Sequence, residues 1–290
     1  MIGQALDVLT PVLLAGLGGL FTELAGILNI GLEGMILFGA FAGIVALHLS
    51  ESYLIALVAA GGAGLLLGFV FTTCAIRLRA NIFITGLGIN LLAAGVIPFA
   101  SSAFFQVKGV LRFDNVAPLP RILPGIFGGQ TALLYLALLS VVLVHIVLYY
   151  TAFGLRLRTA GSSPALLAER GLSADSYKRF AIWVSGIAAG IAGGALALRL
   201  GVYLPNISAG RGWIALVTIF LGYRAPVGVL LAALLISITE GVANSAQAVV
   251  EIPNTLLLAL PYLLTLLAMI LYSAMRRLRR LGDRGAAPPE

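Results

Sequence analysis

The chain has 290 residues, of which 60% are hydrophobic and only 10% are charged. A soluble domain is typically about 25% charged, so this composition excludes a soluble enzyme, a disordered chain and a collagen-like protein. The single cysteine, Cys74, also excludes an intrachain disulfide scaffold. Four runs contain no Asp, Glu, Lys or Arg, and each is as long as the roughly 20 residues that a membrane-crossing helix needs. These runs are 52–76, 82–107, 180–198 and 252–275. We therefore expect a multi-pass protein of the bacterial inner (plasma) membrane.

The apolar runs predict an all-α bundle with eight or nine transmembrane spans. Helices are expected because lipid cannot satisfy free backbone groups, and the runs are too long for barrel strands. The predicted spans are 8–28, 32–49, 52–76, 82–102, 130–152, 180–199, 209–223, 226–247 and 254–275. Segment 209–223 is short and is interrupted by Gly222 and followed by Pro226, so it is either a full crossing or a half-helix.

The junction between the first two spans carries the first polar signal. Glu23 and Glu33 bracket a segment that contains Asn29 and two glycines, in the sequence Asn-Ile-Gly-Leu-Glu-Gly. Ionisable groups are costly in hydrocarbon unless they face a cavity or a partner. A glycine-interrupted junction can also expose its backbone groups to a ligand. We therefore predict that these three side chains contribute to a translocation path.

Two further polar elements follow along the chain. Asn81 and Asn90 flank a glycine-containing stretch at the start of the fourth span. Ser237, Glu240 and Asn244 recur every three or four residues and so form one stripe on an apolar helix. These groups either form interhelical hydrogen bonds or line a path for a neutral, polyhydroxylated solute. The predicted path residues are thus Glu23, Asn29, Glu33, Asn81, Asn90, Ser237, Glu240 and Asn244.

Two hydrophilic stretches are expected outside the membrane. Residues 103–129 contain three prolines and several glycines and predict a non-helical periplasmic loop. Residues 153–179 predict the longest cytoplasmic loop. Within it Ser163 is a candidate N-cap, 164–170 a short helix and Gly171 its stop signal. A short helix outside the bundle has little core to bury, so it is expected to need a partner surface.

Glycines at four-residue spacing predict close helix packing, because lipid gives helices no hydrophobic drive to associate. Gly186, Gly190 and Gly194 form one such face, and Gly39/Gly43 and Gly64/Gly68 repeat the spacing. These smooth faces indicate either static packing or surfaces that slide during transport.

The distribution of positive charge sets the expected orientation. With nine crossings and an external N-terminus, 13 of the 18 basic residues lie on the inside and five on the outside, namely Lys108, Arg112, Arg121, Arg199 and Arg211. The tail 276–290 is then cytoplasmic, and its arginine cluster is a lipid-headgroup anchor and not a nucleic-acid patch.

The chain lacks the motifs of a catalyst. It has no phosphate-binding loop and no nucleophile elbow. His48 and His145 stand without further metal ligands at a suitable spacing. We therefore expect no catalytic residues, no metal and no bound cofactor. Energy for active transport must come from another polypeptide or from an ion gradient.

Several segments resemble one family of membrane proteins. The stretch 20–35, with its Asn-Ile-Gly-Leu-Glu-Gly-Met motif, is similar to a signature of permease subunits of bacterial ABC importers. The family includes ribose, branched-chain amino acid and nucleoside permeases, and this motif points to the nucleoside or simple-sugar subgroup. Residues 86–92, 153–179 and 222–228 extend the resemblance over almost the whole chain.

The resemblance implies a single permease domain, 1–290, with the fold of type II-like importers. It also implies that the loop 153–179 docks on an ABC ATPase subunit, which carries ATP and Mg²⁺. The implied coupling residues are Arg156, Arg158, Ser163, Glu169, Arg170 and Gly171. The family pattern has an acidic residue and Asn where this chain has Ser162 and Ser163, so the details of this contact are expected to differ.

The further partners implied are a second permease subunit, a periplasmic or lipoprotein solute-binding protein and membrane lipid, with no nucleic acid. A heterodimer is favoured over a homodimer. The resemblance favours a nucleoside as solute, then a simple sugar, then a branched-chain amino acid. The main rival class is an ion-coupled secondary transporter.

Overall fold

The computed structural model describes residues 2–121 and 130–246. The predicted last span, 254–275, and the tail 276–290 lie outside the described residues. The described chain is a helical bundle. Its helices are α1 (Ile2–Leu24), α2 (Leu32–Ser50), α3 (Tyr53–Thr72), α4 (Ile82–Phe105), α5 (Ala132–Tyr150), α6 (Ala152–Ser162), α7 (Pro164–Glu169), α8 (Ala174–Leu200), α9 (Arg211–Leu221) and α10 (Pro226–Ala246). A π-helical turn, Thr73–Arg77, continues α3. Two short strands, β1 (Leu111–Arg112) and β2 (Val202–Tyr203), pair antiparallel.

The helices match the predicted spans closely. In the described residues, six helices are long and apolar enough to cross a membrane, and two apolar helices are shorter. The shorter ones are α9 and most of α10. The half-helix interpretation of segment 209–223 is confirmed, because α9 has only 11 residues.

Helix α8 is the centre of the bundle and packs against α1, α2 and α3. Its glycine face makes this possible, as predicted. A methyl group on Gly190 would overlap the backbone of α3 at Ala60, and one on Gly39 of α2 would overlap Gly190 itself. Gly64 of α3 fits against Gly186 in the same way. With no side chains between them, the backbones approach closely on both sides of α8.

Gly64→Ala tests this packing, and Gly62→Ala on the same helix is its matched control. A Cβ at Gly64 would overlap the Gly186 carbonyl, whereas nothing lies within 4 Å of a Cβ at Gly62. Overpacking of this kind costs about 1–3 kcal/mol, so Gly64→Ala should lower the unfolding midpoint in detergent. Gly62→Ala should leave the midpoint unchanged or raise it slightly, since alanine favours the helix. Equal midpoints for both variants would contradict the close approach of α3 and α8.

One end of the bundle carries the strands, and we call it the β end. Here residues 106–121 fold back over the helix ends. The ring of Phe113 stacks on His48, with centroids 3.8 Å apart. The Leu119 N–H donates to the Leu198 carbonyl at 2.8 Å. This segment falls within the predicted loop 103–129, but the helix before it ends later than predicted, at Phe105, and β1 lies inside it.

The opposite end carries α6 and α7, and we call it the α7 end. Helix α6 was not predicted, because residues 153–162 are hydrophilic. It forms because the Thr151 hydroxyl accepts from the Gly154 N–H at 3.2 Å and caps it. Burial of Leu157 and Ala160 then holds it on the bundle. The helix α7 confirms the predicted short helix within one residue, with Ser163 in the N-cap position and Gly171 following at φ +70°.

Candidate functional site

The α1–α2 junction, residues 25–31, is an irregular segment held by side-chain amides. Asn29 is fully buried. Its Nδ2 donates to the Ser185 hydroxyl of α8 at 3.0 Å, and its Oδ1 accepts from the Gly31 N–H at 3.0 Å. Because irregular backbone needs partners inside a membrane, Asn29 both closes a turn and ties that turn to α8.

Asn90 of α4 holds the other side of the same junction. Its Oδ1 accepts from the Gly34 N–H at 2.8 Å, and its Nδ2 donates to the Ile30 carbonyl at 3.0 Å. Asn29 and Asn90 therefore act together on the α1–α2 junction, although they are 61 positions apart in the chain. Two of the predicted path residues thus fix the conformation of a helix break.

The Glu33 carboxylate caps the N-terminus of α9. One oxygen accepts from the Gly210 N–H at 2.9 Å and from the Ser208 hydroxyl, and the other accepts from the Gly212 N–H at 2.7 Å. The free N–H groups and the dipole at a helix N-terminus favour a negative charge there. Gly212 permits this contact, since a methyl group on it would lie 2.6 Å from the Glu33 Cα. A buried carboxylate of α2 therefore supplies the cap that α9 lacks in its own sequence.

Glu23 holds the opposite end of α9. Its carboxylate pairs with the guanidinium of Arg224 at 2.6 Å, just beyond the helix end at Leu221. The two carboxylates that bracket the α1–α2 junction thus contact both ends of the same short helix. Its 11 residues span about 16 Å at 1.5 Å per residue, about half of the hydrocarbon thickness. The Glu33 cap therefore lies at the middle of the bilayer if the α9–α10 turn is at its surface.

Of the polar stripe on α10, Glu240 contacts the start of α9. Glu240 pairs with Arg211, the first residue of α9, at 2.9 Å. Ser237 is buried, and within the described part of the chain its hydroxyl has no hydrogen-bond partner. Asn244 belongs to α10, but its side chain lies outside what the structure describes.

Asn81 lies away from the other predicted path residues. It is exposed at the start of α4, and its side chain accepts from the N–H groups of Phe83 and Ile84 as a helix cap. The structure gives Asn81 a role as the cap of α4, and its role in the path stays a prediction.

Two cavities flank the loop that precedes α9. One, of about 440 Å³, is lined by Leu37, Ala93, Ala94, Ile97, Pro98, Ser101, Lys108, Gly109, Tyr203, Pro205 and Asn206. The other, of about 410 Å³, includes the charged residues Asp7, Arg199 and Arg211. Burial raises the pKa of Tyr203 to about 12, so its hydroxyl is protonated at neutral pH. Among the predicted path residues whose side chains the structure describes, none lines either of these two cavities.

The predicted coupling residues are grouped at the α7 end. Glu169, Arg170 and Gly171 are exposed, Ser163 is half-buried, and Arg156 is exposed on α6. Arg158 instead makes an intramolecular contact, because its guanidinium carbon lies 4.9 Å from the centroid of the Tyr149 ring. On α7 itself only Leu167 is buried. The helix therefore presents almost its whole surface for contact.

Sequence reasoning missed the partners of Glu33 at the start of α9. Ser208, Gly210 and Gly212 supply its three hydrogen bonds. Arg211 was counted as a residue outside the membrane, whereas its side chain is only 16% exposed and is paired with Glu240. The available signal was the Gly-Arg-Gly run at 210–212, directly before an apolar half-helix.

Transporters commonly contain a multi-pass bundle with a discontinuous helix, and α9 capped by the buried Glu33 carboxylate is a helix of that kind. Over residues 1–271 the chain matches the family described as "Branched-chain amino acid transport system / permease component". It belongs to this family of ABC permeases. The chain is therefore a multi-pass transport subunit of the inner membrane and not an enzyme. Its partners are an ATPase and a solute-binding protein.

Curated relatives agree with this assignment. The chain is 30% identical to the guanosine ABC transporter permease NupQ of Bacillus subtilis, over 89% of this chain and 87% of that one. It is 29% identical to the nucleoside permease NupC of Lactococcus lactis, over 91% and 89%. The glucose permease TsgB13 of Haloferax volcanii is 27% identical, over 85% and 70%. These relatives confirm the nucleoside or sugar subgroup indicated by the motif at 20–35.

The fold also has a solved counterpart. PsaBC from Streptococcus pneumoniae aligns with a TM-score of 0.51 at 11% identity, covering 92% of this chain and 89% of that one. At this level of identity the likeness concerns the fold alone.

Proposed function

We propose that this chain forms, with a second and different permease subunit, the translocation path of an ATP-driven importer for nucleosides. The observation that carries the proposal is the likeness over about nine-tenths of the chain to two permeases named for nucleoside and guanosine transport. The helix break at Glu33 supports it, because transporters place binding sites at such breaks near the bilayer midplane. The likeness to a glucose permease supports a simple sugar as the second candidate.

The orientation in this proposal puts the α7 end in the cytoplasm. The basic residues support it, since Arg156, Arg158, Arg170 and Arg224 all lie at that end and positive charge favours the cytoplasmic side. The ATPase then docks on α7. The solute-binding protein docks on the β end, where 106–121 forms the surface. The C-terminal tail 276–290 is cytoplasmic in the same arrangement.

Within the path, the proposed residues have different tasks. Asn29, Asn90 and Glu33 shape the α1–α2 junction, and Glu23 anchors it beside Arg224. Ser237, Glu240 and Asn244 recur on one face of α10, and within the described residues the buried Ser237 hydroxyl has no hydrogen-bond partner. Amide and hydroxyl groups suit a neutral, polyhydroxylated molecule such as a nucleoside.

Competition uptake tests the solute class. The chain is reconstituted in liposomes with its ATPase, a second permease and a solute-binding protein, and ATP-dependent uptake of labelled guanosine is measured. A tenfold excess of unlabelled adenosine or uridine should suppress uptake strongly, whereas glucose or leucine should not. Suppression by glucose alone, or by leucine alone, would contradict a nucleoside importer.

A further inference from the structure

Helix α7 reaches the membrane part of the chain mainly through α6. On α7 only Leu167 is buried, and the helix is joined to α6 through the single residue Ser163. Its contacts are made mainly with α6 and to a smaller extent with α8. Helix α6 is anchored on the bundle by Leu157 and Ala160, both fully buried. A partner that moves α7 therefore moves the end of α6 first.

The end of α6 is pressed against the start of the α1–α2 junction. A Cβ on Gly161 would lie 2.8 Å from the Gly26 nitrogen and would overlap the Leu24 carbonyl. A Cβ on Gly26 would lie 2.9 Å from the Gly161 Cα. The contact is thus backbone against backbone. Because no flexible side chain lies between the two segments, one cannot shift without displacing the other.

The α1–α2 junction is in turn bonded to α9 on both sides. Gly26, at φ +75°, closes the last turn of α1, where the Ile27 N–H donates to the Thr22 carbonyl at 2.9 Å. Glu23 lies three residues before it and pairs with Arg224. Glu33 lies seven residues after it and caps α9. A displacement at Gly26 therefore reaches both ends of α9.

We infer that the Gly161–Gly26 contact is the point through which ATPase closure at α7 repositions the α1–α2 junction and α9 at mid-membrane. The inference rests on the proposed docking of an ATPase on α7. Gly26 and Gly161 act as positioning residues, while Glu23 and Glu33 transmit the displacement to α9.

Hydrogen–deuterium exchange on the assembled transporter reports on α6–α7, on the α1–α2 junction and on the start of α9 in the native chain. Binding of a non-hydrolysable ATP analogue should change exchange in peptides covering 152–172, 22–35 and 208–214. A change confined to 152–172 would overturn the inference, whatever any variant does. No change even in 152–172, or no ATP-dependent uptake at all, would instead count against the proposed docking and function.

Gly161→Ala tests the contact itself, with Gly62→Ala as control, since a Cβ there meets nothing within 4 Å. Coupling free energies of this kind correspond to factors of about 10, so uptake should fall about tenfold in Gly161→Ala. Binding of the ATPase and the exchange response of 152–172 should persist, whereas the response of 208–214 should be lost. An unchanged response in 208–214 at normal uptake would overturn the inference. If the variant does not assemble, the exchange experiment on the native complex decides.

Discussion

Replacing Glu33 by alanine should cause the largest loss of stability of any single substitution in the α1–α2 junction. The change leaves the N–H groups of Gly210 and Gly212 and the Ser208 hydroxyl without their acceptor. Ser208 and Gly212 are buried and Gly210 is half-buried, and each unsatisfied buried donor costs about 1–3 kcal/mol. Summed over the three donors, we expect a total loss of about 3–5 kcal/mol. The loss of stability is measured by thermal unfolding of the purified protein in detergent, with gel filtration used to monitor the folded fraction.

Two variants calibrate that result. Glu33→Gln keeps the shape and one oxygen acceptor, so it should lose less stability than Glu33→Ala. Glu169→Ala removes an exposed carboxylate on α7 and should change stability by no more than about 0.5 kcal/mol. If Glu33→Ala proved as stable as Glu169→Ala, the carboxylate would not be the cap of α9.

Reversing the charges of Glu169 and Arg170 should give the largest functional effect outside the membrane. Both side chains are exposed at the end of α7, so the double variant Glu169→Arg, Arg170→Glu should insert and fold normally. Because these charges face the proposed ATPase, uptake should fall about tenfold or more, and ATP hydrolysis should no longer respond to solute. Reconstituted uptake and hydrolysis, measured side by side, report the uncoupling.

The matched control exchanges charges at the opposite end of the bundle. Arg112 and Asp114 are also exposed, on the segment at the β end. Reversing both should leave capture of the ATPase by the purified permease unchanged, whereas the α7 variant should capture less. Normal uptake in the α7 double variant would contradict a coupling role for Glu169 and Arg170. These two residues would then be ordinary surface charges, and Arg156 and Arg158 would be anchors to lipid headgroups.

Part of the site could be predicted from the free-energy cost of placing charged groups in hydrocarbon. Glu23 and Glu33 stood out because carboxylates are expensive in hydrocarbon. Glu33 caps α9, and Glu23 pairs with Arg224 in the turn that follows it. The break at Gly222 and Pro226 left a full crossing or a half-helix as alternatives for 209–223, and α9 has only 11 residues. The glycine spacing on α8 identified its packing faces, since close helix approach requires small residues at a fixed interval.

The remaining features depend on contacts that are distant in sequence. Ser208 lies 175 residues after the carboxylate it bonds, and no local pattern around Glu33 announces it. Helix α6 was missed because its composition is that of a loop, and only its burial against α1, α5 and α8 makes it a stable element. The pairing of Arg211 with Glu240 was missed for the same reason, as the charge count placed Arg211 outside the membrane.

In the proposed mechanism, the chain moves solute only when an ATPase acts on it from the α7 end. Purified permease subunits in liposomes loaded with ATP, with and without the ATPase, test this claim directly. We expect labelled nucleoside to enter only when the ATPase and ATP are on the side that exposes α7, as shown by labelling a cysteine introduced at Ala165. Uptake by the permease without any ATPase, or labelling of Ala165→Cys only from the periplasmic side, would contradict the account.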